Sequence, residues 1–78
     1  MKKLRDILID IRPESAREFD TSVDFFADGL LDSFDLITLV SDLDRAYGIS
    51  IDGSDIVPEN FVNLAAIAAL LARSGVTP

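Results

Sequence analysis

Apolar residues return at helical intervals in three stretches of this chain, and turn-forming residues fill the gaps. Leu4, Ile7, Leu8 and Ile11 predict a first helix from about Lys2 to Arg12, stopped at Pro13. A second pattern runs from Ser33 to Tyr47, with Gly48 as its C-terminal stop. On a wheel drawn at about 100° per residue, Leu36, Leu39, Val40, Leu43, Ala46 and Tyr47 fall in one core-facing arc. Leu64, Ile67, Ala68 and Leu71 mark a last helix, with Asn63 as its N-cap and Ser74-Gly75 ending it. Between the second and last patterns, Pro58 disfavours helical geometry at Val57, so only one or two short helical turns fit. Ile49-Ser50-Ile51 alternates like a strand, but three residues without a partner make no sheet.

Residues 13 to 31 form a long first connection, and long loops in small domains usually have a function. Phe19, Val23, Phe25 and Phe26 are expected to pin it to the helices. No internal repeat or low-complexity segment interrupts the chain. The expected fold is all-α: a small four-helix bundle of three longer helices and one short irregular helix, forming a single domain over residues 1–78.

Seventy-eight residues lie near the lower limit for a core without staples. The chain has no cysteine and no histidine, which removes disulfides and zinc sites of the usual donors. Stability must come from apolar packing, for which an apolar content of 49% suffices. Fourteen acids against seven bases give a net charge of −7. Nucleic-acid binding needs a basic stripe, and Lys2, Lys3 and Arg5 are the only clustered bases. The start of the chain lacks the apolar run of a signal peptide, and no stretch approaches the ~20 apolar residues of a membrane span. A monomeric, cytoplasmic protein without membrane insertion is expected.

Candidate chemistry concentrates at the start of the second helix, in Asp28-Gly29-Leu30-Leu31-Asp32-Ser33-Phe34-Asp35. A chain with neither thiol nor imidazole has few ways to do covalent chemistry itself, but a serine at an exposed helix start can receive a reactive group from another enzyme. Either Asp32 or Ser33 would serve as N-cap, and Asp35 adds favourable charge in the first turn. Gly29 permits a tight backbone upstream, and Leu30-Leu31 anchor the turn. A phosphodiester on Ser33 would gain roughly 0.3–1 kcal/mol from the helix dipole. On the wheel Phe34 falls opposite the core arc with Thr38, Ser41 and Arg45, flanked by Asp35 and Asp42, so these six residues form a candidate docking face.

The segment from Asp28 to Phe34, then Leu39-Val40, Leu43-Asp44, Tyr47-Gly48-Ile49 and Ile56-Val57-Pro58-Glu59-Asn60-Phe61, resembles acyl carrier proteins over roughly residues 23 to 72. The resemblance implies a four-helix fold and a covalent 4′-phosphopantetheine on Ser33, next to Asp32, whose thiol holds acyl or aminoacyl groups as thioesters. It implies a phosphopantetheinyl transferase, an acyl- or aminoacyl-loading ligase and downstream acyl-processing enzymes as partners. Ile49, Ile56 and Phe61 are candidates to line an acyl groove, with a core role as the alternative. Phe34 stands where leucine or methionine is commonest; Leu-Leu-Asp-Ser-Phe is similar to D-alanyl carrier proteins, while the segment from Ile56 to Phe61 is similar to stand-alone acyl carriers. In fatty-acid-synthesis members the helix is recognised largely through acids. Here the centre of that face reads Thr38, Ser41 and Arg45, which points to a specialised pathway.

Two other sites carry less. Asp24, Asp28, Gly29 and Asp32 fall at the first, fifth, sixth and ninth positions of a calcium loop, but Phe26 and Asp35 break the pattern, and no metal site is expected. Asp52 and Asp55 lack the burial that separates the pKa values of an acid–base pair, and are expected to act as solvated caps around Ser54. The chain is expected not to be an enzyme. The rival reading is an unmodified helical interaction adaptor in which Ser33 only caps its helix.

Overall fold

The computed structural model describes residues 4–76. Four α-helices occur among them: α1 (Leu4–Ile11), α2 (Glu18–Thr21), α3 (Ser33–Tyr47) and α4 (Leu64–Arg73), and no strand does. Short 3-10 turns cover Pro13–Ser15, Gly53–Asp55 and Pro58–Asn60. The all-α bundle expected from the apolar periodicity is therefore present. The expected start of α1 at Lys2 lies outside the described residues, and Arg12 stands just beyond the helix end.

Helix α3 has the bounds that its pattern dictates. Leu36, Leu39, Val40 and Leu43 are buried, and Ala46 and Tyr47 pack against the core. It ends where Gly48 turns left-handed at φ 66°, a conformation that costs other residues steric strain. The Asp44 carbonyl accepts the Gly48 and Ile49 amides, and Asp44 Oδ1 accepts the Ile51 amide at 3.0 Å. Asn63 caps α4 as expected, its Oδ1 accepting the Ala66 amide at 2.8 Å. The core lies between α1, α3 and α4, with Leu8, Leu39, Leu43, Ile67, Leu70 and Leu71 among the wholly buried side chains.

The long connection is more structured than expected, since it holds the 3-10 turn at Pro13 and helix α2. Phe19 and Phe25 are buried and meet edge to face, centroids 5.2 Å apart, while Phe26 is partly buried against the core. Val23 does not pin the connection through its side chain, which is 81% exposed. Backbone atoms tie this stretch instead: Asn63 Nδ2 donates to the Val23 carbonyl at 3.4 Å and the Phe25 amide to the Val62 carbonyl at 2.7 Å. The Cα radius of gyration is 11.3 Å, close to the roughly 11.5 Å of a folded chain this long. The connection is wrapped onto the bundle. The expected short irregular helix between Asp52 and Phe61 is a pair of 3-10 turns, consistent with the break that Pro58 imposes at Val57.

Candidate functional site

The approach to Ser33 is built by one capped turn. Asp24 Oδ1 accepts the amides of Phe26 and Ala27, both at 2.9 Å, and starts the turn. Gly29 ends it at φ 76°, with the Gly29 amide donating to the Phe26 carbonyl and the Leu30 amide to the Phe25 carbonyl at 2.8 Å. That pairing is a Schellman stop, and it needs the left-handed residue that glycine supplies. Leu30 and Leu31 then bury their side chains, which fixes where α3 begins. Asp24 is thus spent on the local turn and Asp28 accepts from the Ser22 hydroxyl. Among the described residues no group of three or more metal-ligating side chains converges.

Asp32, not Ser33, is the N-cap of α3. Its Oδ1 accepts the Asp35 amide at 2.9 Å, and Asp35 Oδ2 accepts the Asp32 amide at 3.2 Å, closing a capping box. Ser33 is left as the first helical residue. It is exposed, and no described residue hydrogen-bonds its hydroxyl. A hydroxyl at a helix N-terminus, beside backbone N–H groups without intrahelical partners, is well placed to carry an anionic group.

The docking candidates lie in two environments. Phe34 is 80% exposed, as the wheel requires, and Thr38, Ser41 and Arg45 share its exposed side of the helix. Asp35 is turned in: its side chain is 16% exposed and is held by the capping box and by Arg12. Asp42 is partly covered and pairs with Arg45 at 3.1 Å. Ile37, 63% exposed and one turn beyond Phe34, completes an apolar strip absent from the sequence expectations. The signal was present, because three residues place Ile37 within about 60° of Phe34 on the wheel.

Of the groove candidates, Phe61 is wholly buried in the core, while Ile49 and Ile56 are half-buried against it. Asp52 acts as the solvated cap expected: its Oδ1 accepts both the amide and the hydroxyl of Ser54 at 3.0 Å, which lowers its pKa from the ordinary carboxylate value.

Sequence alone did not single out Arg12. From just past α1 it donates through Nε to Asp35 Oδ2 at 2.8 Å, and a terminal nitrogen stands 2.7 Å from the same oxygen. That nitrogen also reaches Asp32 Oδ2 at 3.3 Å. The hydrogen bond and charge of Asp35 raise the Arg12 guanidinium above its ordinary value. Arg5 likewise ties α1 to α2 through Asp20, at 2.8 and 2.9 Å. Both pairs join residues far apart in sequence, which periodicity does not register.

No curated protein and no solved structure gives a significant match to this chain. The sequence model of the family described as "Phosphopantetheine attachment site" matches residues 2–71. Members of that family carry 4′-phosphopantetheine covalently on a serine. Nearly the whole chain is matched, from α1 into α4, and the chain belongs to the acyl-carrier-type phosphopantetheine attachment family.

Proposed function

We propose that this protein is an acyl or aminoacyl carrier that takes 4′-phosphopantetheine on Ser33 and presents the arm's cargo to successive enzymes. The observation that carries this reading is the division of labour at the start of α3. Asp32 caps the helix, so the Ser33 hydroxyl is released from the structural role that a cap serine would have. Ser22 and Ser54, by contrast, donate their hydroxyls to Asp28 and Asp52. Ser33 also fits the group sterically, being exposed at the end of a helix whose N–H groups and dipole favour a phosphodiester. When bound, the arm supplies a terminal thiol that holds acyl groups as thioesters.

The chain's own part is to position and to be recognised. Helix α3, 15 residues long and about 22 Å from end to end, is the docking face. Phe34, Ile37, Thr38, Ser41 and Arg45 meet the phosphopantetheinyl transferase, the loading ligase and the downstream enzymes. Asp35 and Asp42 act from its margins, Asp35 mainly by holding the helix start with Asp32. Ile49 and Ile56, half-buried against the core, border the space where an acyl chain would shelter.

The low charge of this face supports a specialised pathway. Asp42 is offset by Arg45, Thr38 and Ser41 are neutral, and Phe34 and Ile37 are apolar, so little remains to attract a basic partner. No described helix is long and apolar enough to cross a membrane. We place the protein as a monomer in the cytoplasm, doing no catalysis of its own.

Intact-mass spectrometry after incubation with coenzyme A and a broad-specificity transferase tests the reading. Wild type should gain one phosphopantetheine and Ser33→Ala none. Folded wild-type protein left unmodified by several transferases would return the chain to the adaptor reading.

A further inference from the structure

Ser33 begins a helix whose start is framed by two carboxylates, and a residue just past the end of α1 answers their charge. Asp32 and Asp35 close the capping box, and Arg12 bridges them at 3.3 and 2.7 Å. Glu14 competes for the same guanidinium from 3.6 Å. Arg12 reaches this place from just past α1, 23 residues away in sequence from Asp35, so the bridge exists only in the folded domain.

The modification adds one more negative charge here. Ser33 Oγ forms a bond to the β-phosphorus of coenzyme A as the phosphoanhydride P–O bond breaks. Adenosine 3′,5′-bisphosphate leaves with the electron pair, and the serine proton passes to a base of the transferase. Two uncompensated carboxylates would oppose that transfer, and the helix end, with about half a unit of positive charge, does not cancel them. Like charges a few ångströms apart at a protein surface change rates by about tenfold or more.

We propose that Arg12 is a positioning residue for the modification of Ser33. Acting through Asp32 and Asp35, it neutralises the capping box and holds the helix start where the incoming phosphodiester meets backbone N–H groups instead of bare carboxylates. This rests on Ser33 being the attachment site. The two carboxylates that make the cap therefore need a cation to make the cap usable.

The test is kcat/KM for modification by coenzyme A and a broad-specificity transferase, with wild type, Arg12→Gln, Arg12→Lys and Glu14→Gln. Sodium chloride is varied from about 20 mM to about 0.5 M, across which the screening length falls severalfold. Arg12→Gln should be slower by about tenfold at low salt and recover to within about twofold at high salt, because the repulsion is screened. Arg12→Lys, which keeps the charge, should stay within about threefold of wild type. Glu14→Gln, an exposed change that frees Arg12 for the cap, should be faster by about twofold at low salt only.

Wild type that is not modified, or Ser33→Ala that is, would overturn the attachment site itself. With modification at Ser33 intact, equal rates for wild type and Arg12→Gln overturn the role of Arg12. So does a deficit that ignores salt and is not rescued by lysine, since that is the mark of a structural contact alone. Should Arg12→Gln not fold, Glu14→Gln decides: an unchanged rate at low salt overturns the proposal.

Discussion

Asp32 and Asp35 cap one another, each carboxylate accepting the other's backbone N–H, at 2.9 and 3.2 Å. The two residues between them, Ser33 and Phe34, are fixed in backbone and spared in side chain. A rigid frame with a free hydroxyl and a free ring is what a modifiable docking site requires. The same box gives both acids at this helix start a structural role.

Removing the cap should loosen the frame. Asp32→Ala should lower stability by about 1 kcal/mol, within the range of roughly 0.5–2 measured for such caps. Asp32→Asn keeps an acceptor for the Asp35 amide and should retain most of that stability. Urea denaturation of the two variants checks the difference. Equal loss in both would mean that the charge of Asp32, and its contact with Arg12, matters more than the hydrogen bond.

Phe34 and Ile37 separate docking from folding. Both are largely exposed, so Phe34→Ala and Ile37→Ala should each change stability by no more than about 0.5 kcal/mol. Each should still weaken loading by the transferase, because an apolar anchor next to Ser33 is lost. Leu43→Ala, wholly buried on the opposite arc, should cost about 2–5 kcal/mol. Chemical denaturation together with loading kinetics decides the matter. A Phe34→Ala protein as unstable as Leu43→Ala would put the ring inside the core.

What could be read from the sequence was local. The bounds of α3, the stop at Gly48 and the cap at Asn63 rest on residues within one or two turns of each other, so spacing alone reveals them. The core arc from Leu36 to Leu43 was legible for the same reason. Helix α2 was not, because four residues with one buried position, Phe19, carry no period. Nor does composition separate buried Phe25 from exposed Val23, since a connection that follows no regular path has no face to count from. Arg12 and Arg5 act through partners that only the tertiary fold supplies. At the candidate site, the exposure of Ser33 followed from its place at the helix start and that of Phe34 from helix phase, whereas which residue caps the helix depended on side-chain geometry.

Tyr47 shows a cost inside the core arc. Its hydroxyl oxygen is buried and has no hydrogen-bond partner among the described residues, and burial pushes its pKa above the ordinary 10.0. An unsatisfied buried polar group costs roughly 1–3 kcal/mol. Tyr47→Phe keeps the ring and removes the group, so stability should stay unchanged or rise by up to about 1 kcal/mol. Thermal and urea unfolding measure this directly. A loss of stability would reveal a bond made by the hydroxyl.

Acid should dissolve the tie between α1 and α2. The hydrogen bond from Arg5 lowers the pKa of Asp20 below its ordinary 3.8. The folded state therefore binds fewer protons than the unfolded chain in the interval between the two values, and stability falls as pH falls through it. The contribution of the pair is fully present above the unfolded value and is lost as pH drops through the lower, folded one. Asp20→Asn removes the charge that Arg5 recognises, so this variant should be less stable than wild type at pH 7. The gap should narrow once pH falls below about 4 and close in stronger acid. Unfolding midpoints of the two proteins, followed from neutral pH into acid, test the sign. A gap that persists undiminished in strong acid would mean that Asp20 stabilises the fold through packing and not through its charge.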